Sequence, residues 1–394
     1  MGSVRFSGPL VPYADGFARE LARLGFTPLS ADGQLRLAAH LSRWMAGGSL
    51  GVADLTAVRI RMFLDARRES GHTAYLTVKS LVPLLGYLRG LGAVPEEAVP
   101  LPATPAEELL EGFRSWLLSE RGLCPDVVSG YADLVRPFVT ARAACPSETT
   151  TADVIAFVVA ESRRLAPKTA QRAATAMRSL LRFWLLEGLM PRPLDDAVPR
   201  IANRRPALPR GLGPAQVSAM LSSCDRGTAA GRRDLAILTL LSRMGLRAGE
   251  AVALTLDDID WRAGEITVRG KGNRRDRLPL PADAGRALAD WLRHGRPATA
   301  LDRSVFTRMK APHRGLTPGG ITQAVAAAAR RAGLGTVYAH RLRHSAATGI
   351  LAGGGSLEEI GQLLRHQRPH TTAAYTKVSI AALRALARPW PDAS

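Results

Sequence analysis

Residues Arg204–Gln216, RRPALPRGLGPAQ, place the strongest limit on how this chain can fold. Three prolines and two glycines stand there between two amphipathic patterns. Proline has no N–H to give a helix and clashes with the preceding turn, and glycine loses the most backbone freedom on ordering. One continuous helical body is excluded, and the stretch reads as an inter-domain linker. A softer break, Ala93–Pro105 (AVPEEAVPLPATP), is also proline-rich. Three segments result, which suits 394 residues at roughly 100–200 residues per domain. A hydrophobic fraction of 46% lets each segment bury a core.

The first two segments share a pattern. From His72 the chain reads HTAYLTVKSLVPLLGYLRGLGAVP, and from Lys168 it reads KTAQRAATAMRSLLRFWLLEGLMP. Thr73 and Thr169, Leu84-Leu85 and Leu180-Leu181, Tyr87 and Phe183, Gly92 and Gly188, and Pro95 and Pro191 all stand 96 positions apart. Two alanine- and leucine-rich amphipathic helices can match by chance, but a constant spacing favours a duplicated helical module. The third segment is mixed. Asp234–Met244 is an apolar helix, and Ile259–Pro281 has strand-like runs about a Gly-Lys-Gly-Asn turn, a hairpin signal. Helices are predicted at about 317–333, 341–353, 356–364 and 370–387 from apolar periodicity. The expected fold class is mainly α with a small antiparallel β-sheet in the third segment.

Lys plus Arg is 53 and Asp plus Glu is 34, a formal charge of +19 carried mostly by arginine. Guanidinium groups grip phosphate bidentately, so the balance points to a polyanionic partner; arginine-rich codon usage gives the same composition. Cys124, Cys145 and Cys224 are far apart and odd in number, which fits a reduced, cytoplasmic setting. No apolar run approaches the roughly 20 residues that span a bilayer, and the N-terminal stretch lacks a signal-peptide core.

Four motifs in the third segment carry reactive groups: Gly245-Leu246-Arg247-Ala248-Gly249-Glu250, Lys271 in the hairpin turn, His340-Arg341-Leu342-Arg343-His344, and His366 followed nine residues later by Tyr375. Each alone has a bland reading. An arginine after a helix is usually a solvated charge, a turn lysine is usually exposed, and a helical tyrosine usually packs with its hydroxyl wet. His340 and Arg343 share one helix face because i and i+3 are neighbours. The pairs His340/His344 and His366/His370 have zinc-compatible spacing, but Arg341, Arg343, Arg365 and Arg368 crowd them and no carboxylate stands ready to support a metal.

As an ordered set these motifs resemble the catalytic signature of the tyrosine recombinases, the phage-type integrases. The resemblance is strong over about 213–382. Weaker likeness to the family's helical core-binding domain covers about 105–200. One departure is visible: Leu364-Arg365-His366 stands where the family often has Leu-Gly-His.

The resemblance implies three domains: an extra helical domain at 1–100, a core-binding (SAM-like helical) DNA-binding domain at 101–205, and a catalytic domain at 206–394. It implies a site-specific recombinase that breaks and rejoins DNA through a covalent 3′-phosphotyrosine, serving a mobile element. Tyr375 would be the nucleophile, Arg247 and Arg343 would hold the non-bridging phosphate oxygens, and His366 would add a donor. A phenol of pKa about 10 needs help to ionise, so His340 would accept or relay its proton and Lys271 would protonate the leaving 5′-oxygen. Glu250 would support, and Arg269, Arg274, Arg275 and Arg277 would contact phosphates. No cofactor and no metal are implied. The implied partners are double-stranded DNA and a homotetramer on it, alone or with other recombinases of the same element, and no membrane. Rival readings are a type IB topoisomerase, sharing the chemistry as a monomer, and a non-enzymatic accessory protein. In the first segment Arg59, Arg61, Arg67, Arg68 and Lys79 are candidate DNA contacts, and Ile380–Ala387 is an amphipathic segment that packs in cis or on a neighbour.

Overall fold

The computed structural model describes residues 4–94, 104–202, 211–270 and 274–365. The chain divides into two compact units, residues 1–97 together with 208–394, and residues 98–207. It is mainly α-helical with one small antiparallel sheet. Three large hydrophobic cores lie among the described residues, running from Leu10 to Val94, from Ala106 to Val198 and from Leu212 to Leu342.

The first core is built by α1 (Ala14–Arg23), α2 (Pro28–Gly47), α3 (Ala57–Glu69) and α4 (Val78–Gly90). The second is built by α5 (Pro105–Ser119), α6 (Pro125–Arg142), α7 (Thr151–Arg164) and α8 (Pro167–Leu186). Threonine hydroxyls at Thr27, Thr56, Thr104 and Thr150 accept the first orphan N–H groups of α2, α3, α5 and α7. The two groups bury matching positions. Leu81, Leu84, Leu85 and Leu88 are buried in α4, and 96 positions on so are Met177, Leu180, Leu181 and Trp184 in α8. At the same offset Phe17 and Leu21 match Phe113 and Leu117. In the third helices the offset is 94, pairing buried Ile60, Leu64 and Arg67 with Val154, Val158 and Glu161. Gly92 and Gly188 both end their helices in the left-handed region, at φ 67° and 70°.

The likeness stops at the start of the fourth helix. Pro167 opens α8 at its first turn, so Thr169-Ala170 is helical. The matching Thr73-Ala74 is loop, because Tyr75 takes φ 58° and Arg67 and Arg68 bond the carbonyls of Ala74 and Leu76.

The third core sits around α10 (Ala229–Arg243), which follows α9 (Pro214–Ser222) and precedes the short α11 (Ala248–Ala253). Strands β1 (Ile259–Asp260), β2 (Glu265–Arg269) and β3 (Arg275–Pro279) form the sheet in that order. The expected hairpin is β2–β3, antiparallel, from Glu265 opposite Pro279 to Arg269 opposite Arg275. Alternation sends Ile266 and Val268 into the core and Arg275 and Arg277 outward. Helix α12 (Ala282–His294), not among the expected helices, carries fully buried Trp291, whose indole N–H donates to the Val305 carbonyl at 2.8 Å. Three more helices follow among the described residues: α13 (Pro318–Arg331), α14 (Ala339–Ala352) and α15 (Leu357–Leu364). The end of the expected linker is not free: Leu212 is buried, its N–H donates to Ser345 Oγ at 2.6 Å, and Pro214 opens α9. The helix expected at 370–387 and the segment Ile380–Ala387 lie outside the described residues.

Candidate active site

Glu250 organises the described part of the site. It is the third residue of α11, and its carboxylate accepts the Arg247 backbone N–H on Oε2 at 2.9 Å, closing a capping box. The Arg247 side chain turns back to the same carboxylate, Nη1 to Oε1 at 2.5 Å, while remaining half-exposed. The chain reaches Arg247 through Gly245, whose φ is 59°. A Cβ there would come within 2.7 Å of the Leu364 side chain, so both the turn and the close approach require glycine.

Arg343 enters from α14. Its guanidinium is buried and donates to the carbonyls of Gly245 and Leu364, with Nη1 3.9 Å from Glu250 Oε2. It thereby fastens the turn before α11 to the end of α15. Arg365, the C-cap of α15, completes the cluster: its buried Nη2 donates to Glu250 Oε2 at 2.6 Å. Three guanidiniums thus surround one buried carboxylate. Burial, the largest single influence, pushes the Glu250 carboxyl up; the Arg247 N–H, the Arg365 charge and the Arg247 guanidinium outweigh it and hold the group ionised below its usual range.

His340 lies in the first turn of α14, exposed, stacked on Tyr338 at 6.2 Å and edge-on to His344 at 5.8 Å. His344 is half-buried. Burial first, then His340 and Arg343, lowers its pKa, so near neutral pH it is a neutral ring able to accept a proton bond. Sequence spacing marks His344 only as a zinc candidate. Among the described residues no group of three or more His, Cys, Asp or Glu side chains could hold a metal.

The hairpin arginines differ in availability. Arg269 is paired to buried Asp258 at 3.1 Å, which also caps Thr255. Arg274 pairs with Asp276 at 2.8 Å and Arg277 approaches Glu265 at 3.7 Å. Arg275 is exposed beside them. Lys271, His366 and Tyr375 lie outside the described residues. The structure therefore brings together Arg247, Glu250 and Arg343, with His340 on the helix that carries Arg343. Its main addition is Arg365, which sequence flags only as a charge in a glycine's place.

Residues 210–381 match the family model described as the phage integrase family. A putative integrase/recombinase, y4rA of Sinorhizobium fredii, is 39% identical over 98% of this chain and 95% of its own length. The chain belongs to the phage integrase family. It is a tyrosine-type site-specific recombinase by that membership. The tyrosine recombinase XerD of Listeria monocytogenes is 30% identical over 69% of this chain and 94% of its own. Among solved structures, the XerH site-specific recombinase bound to a palindromic difH substrate covers 97% of this recombinase and 98% of its own chain, with TM-score 0.56 at 18% identity. A lambda integrase dimer on a COC′ core site covers 73% and 98%, with TM-score 0.56 at 14% identity. Those two likenesses concern the fold. No helix among the described residues is long and apolar enough to cross a membrane.

Proposed function

We propose that this recombinase cuts and rejoins double-stranded DNA for a mobile element, with Tyr375 as nucleophile and Arg247 and Arg343 as the electrophilic clamp. The observation that carries the reading is the Arg247–Glu250–Arg343 cluster, two guanidiniums preorganised around one buried ionised carboxylate. Fixed guanidiniums stabilise charge that gathers on non-bridging phosphate oxygens in the transition state. The Tyr375 oxygen attacks phosphorus, the 5′-oxygen leaves, and the bond energy is kept in a 3′-phosphotyrosine that a 5′-hydroxyl later reverses. His340 takes or relays the phenol proton, Lys271 supplies the one the leaving oxygen needs, and His366 donates to phosphate. Glu250 orients Arg247 and touches no substrate. Arg275 with Arg269, Arg274 and Arg277 forms a phosphate-contacting edge.

Residues 1–100, 101–205 and 206–394 serve as an extra helical domain, a core-binding domain and a catalytic domain in this reading. The partner is duplex DNA, and strand exchange takes place within a homotetramer on it, in the cytoplasm. Support comes from XerH, bound to its difH substrate, from lambda integrase, bound to a COC′ core site, and from the full-length match to an integrase/recombinase.

The test is single-turnover cleavage in EDTA. Arg343→Lys keeps the charge and loses the bidentate fork. A fall of about 10²–10³-fold in cleavage is expected, with DNA binding retained and no effect of EDTA on the unsubstituted enzyme. Full cleavage by the variant, or a strict need for a divalent ion, contradicts the reading.

A further inference from the structure

Arg365 occupies a backbone conformation that arginine rarely takes. It caps α15 at φ 52°, ψ 48°, in the left-handed region where glycine is at ease and an L side chain crowds its own carbonyl. The residue directly precedes His366. Its side chain is not a loose surface charge. It is buried, Nη1 donates to the Leu363 carbonyl at 3.0 Å, and Nη2 donates to Glu250 Oε2 at 2.6 Å. Its Nε is buried without a partner among the described residues.

These contacts converge on a crowded atom. Glu250 Oε2 accepts the Arg247 backbone N–H and the Arg365 guanidinium together, and stands 3.9 Å from Arg343. Only Oε1 is left to the Arg247 side chain, at 2.5 Å. Arg365 therefore decides which carboxylate oxygen faces Arg247. It also ties the end of α15 to α11 across 115 positions of sequence. A glycine would accept the same turn but could do neither.

We propose that Arg365 is a positioning residue for DNA cleavage: through Glu250 it orients the Arg247 guanidinium, and its ion pair fixes the left-handed turn at the end of α15. This rests on the reading of Arg247 and Arg343 as the phosphate clamp.

The experiment is single-turnover cleavage of a nicked suicide substrate by Arg365→Gly, Arg365→Asn and Arg365→Lys, with half-site binding and thermal melting measured alongside. Gly and Asn both tolerate the left-handed turn, so one folded variant suffices if the other does not fold. Cleavage is expected to fall about 10- to 100-fold in the Gly and Asn variants, with half-site affinity kept and partial recovery in Lys. Losing the neighbouring cation also raises the Glu250 pKa, so the acid limb of the cleavage–pH profile moves upward. A general packing defect lowers the rate without moving that limb. A wild-type rate in a folded Gly or Asn variant, or a lowered rate with an unmoved limb, overturns the proposal. Arg247→Lys and Arg343→Lys run in parallel separate the two failures. If they cripple cleavage while Arg365→Gly is silent, only the role of Arg365 falls; if they too are silent, the clamp itself is wrong.

Discussion

The two four-helix groups, residues 4–94 and 104–202, share buried positions and differ in what they show to solvent. The second carries twelve Lys and Arg against twelve Asp and Glu; the first carries eleven against six. Both groups answer some of their arginines with carboxylates, as in Arg142–Asp153, Arg164–Glu161 and Arg182–Asp195 of the second and Arg23–Glu20, Arg36–Asp32 and Arg68–Asp65 of the first. In the first, Arg43, Arg59, Arg61 and Lys79 are exposed and make no ion pair among the described residues. Arg67, a candidate DNA contact by sequence, is instead buried, bonded to His40 Nδ1 at 3.0 Å and to the Ala74 carbonyl at 3.1 Å. At the equivalent place the second group has Glu161. One apolar skeleton thus supports two electrostatic surfaces, and of the two groups it is residues 4–94 that carry the excess positive charge.

The largest effects should come from the shared skeleton. Trp184→Ala is expected to cost about 3–5 kcal/mol and Leu88→Ala about 2–5 kcal/mol, the first within residues 98–207 and the second within the unit that joins residues 1–97 to 208–394, when unfolding is followed by limited proteolysis. A single transition that shifts with either variant would show the two cores to be one cooperative body.

A smaller effect separates the surfaces. Replacing Arg43, Arg59, Arg61 and Lys79 by Ala should flatten the salt dependence of half-site binding, by roughly 0.9 in log–log slope for each phosphate no longer neutralised. An unchanged slope would mean that the first group meets protein rather than DNA.

Smallest is a difference with pH. Burial first, then Arg43, Arg67 and His72, lowers the pKa of His40, while residues 104–202 contain no histidine. The folded state then binds fewer protons than the unfolded one. Stability of the first group is fully present above the unfolded value of about 6.5 and declines as pH falls through that value toward the folded pKa. Urea melts at about pH 7.5 and about pH 5.5 should show this in the first group and not in residues 104–202, and His40→Gln should shrink it. An equal decline in residues 104–202 would contradict the assignment.

Much of this architecture was legible because apolar spacing survives without tertiary knowledge. The leucine ladder of α4 and its partner in α8 marked two helices, and the Gly-Lys-Gly-Asn turn marked the β2–β3 hairpin. Boundaries were harder: α10 begins at Ala229, capped by Thr228, before its apolar run at Asp234 begins. Within the site, Arg247, Glu250 and Arg343 were found from motif order, since their chemistry is local to short words of sequence. Arg365 was visible only as an oddity, because its meaning is a pairing with a carboxylate 115 positions away. Arg67 shows the converse, an arginine that composition counts as surface charge and packing turns into an internal tie.

The central claim is that DNA is held covalently through Tyr375. Tyr375→Phe keeps the ring and its packing and removes only the nucleophilic oxygen. On a nicked suicide substrate the unsubstituted recombinase should accumulate a protein–DNA adduct that survives denaturation, and the Phe variant should bind the same substrate with no adduct at all. An adduct formed by Tyr375→Phe would put the nucleophile elsewhere and contradict the account.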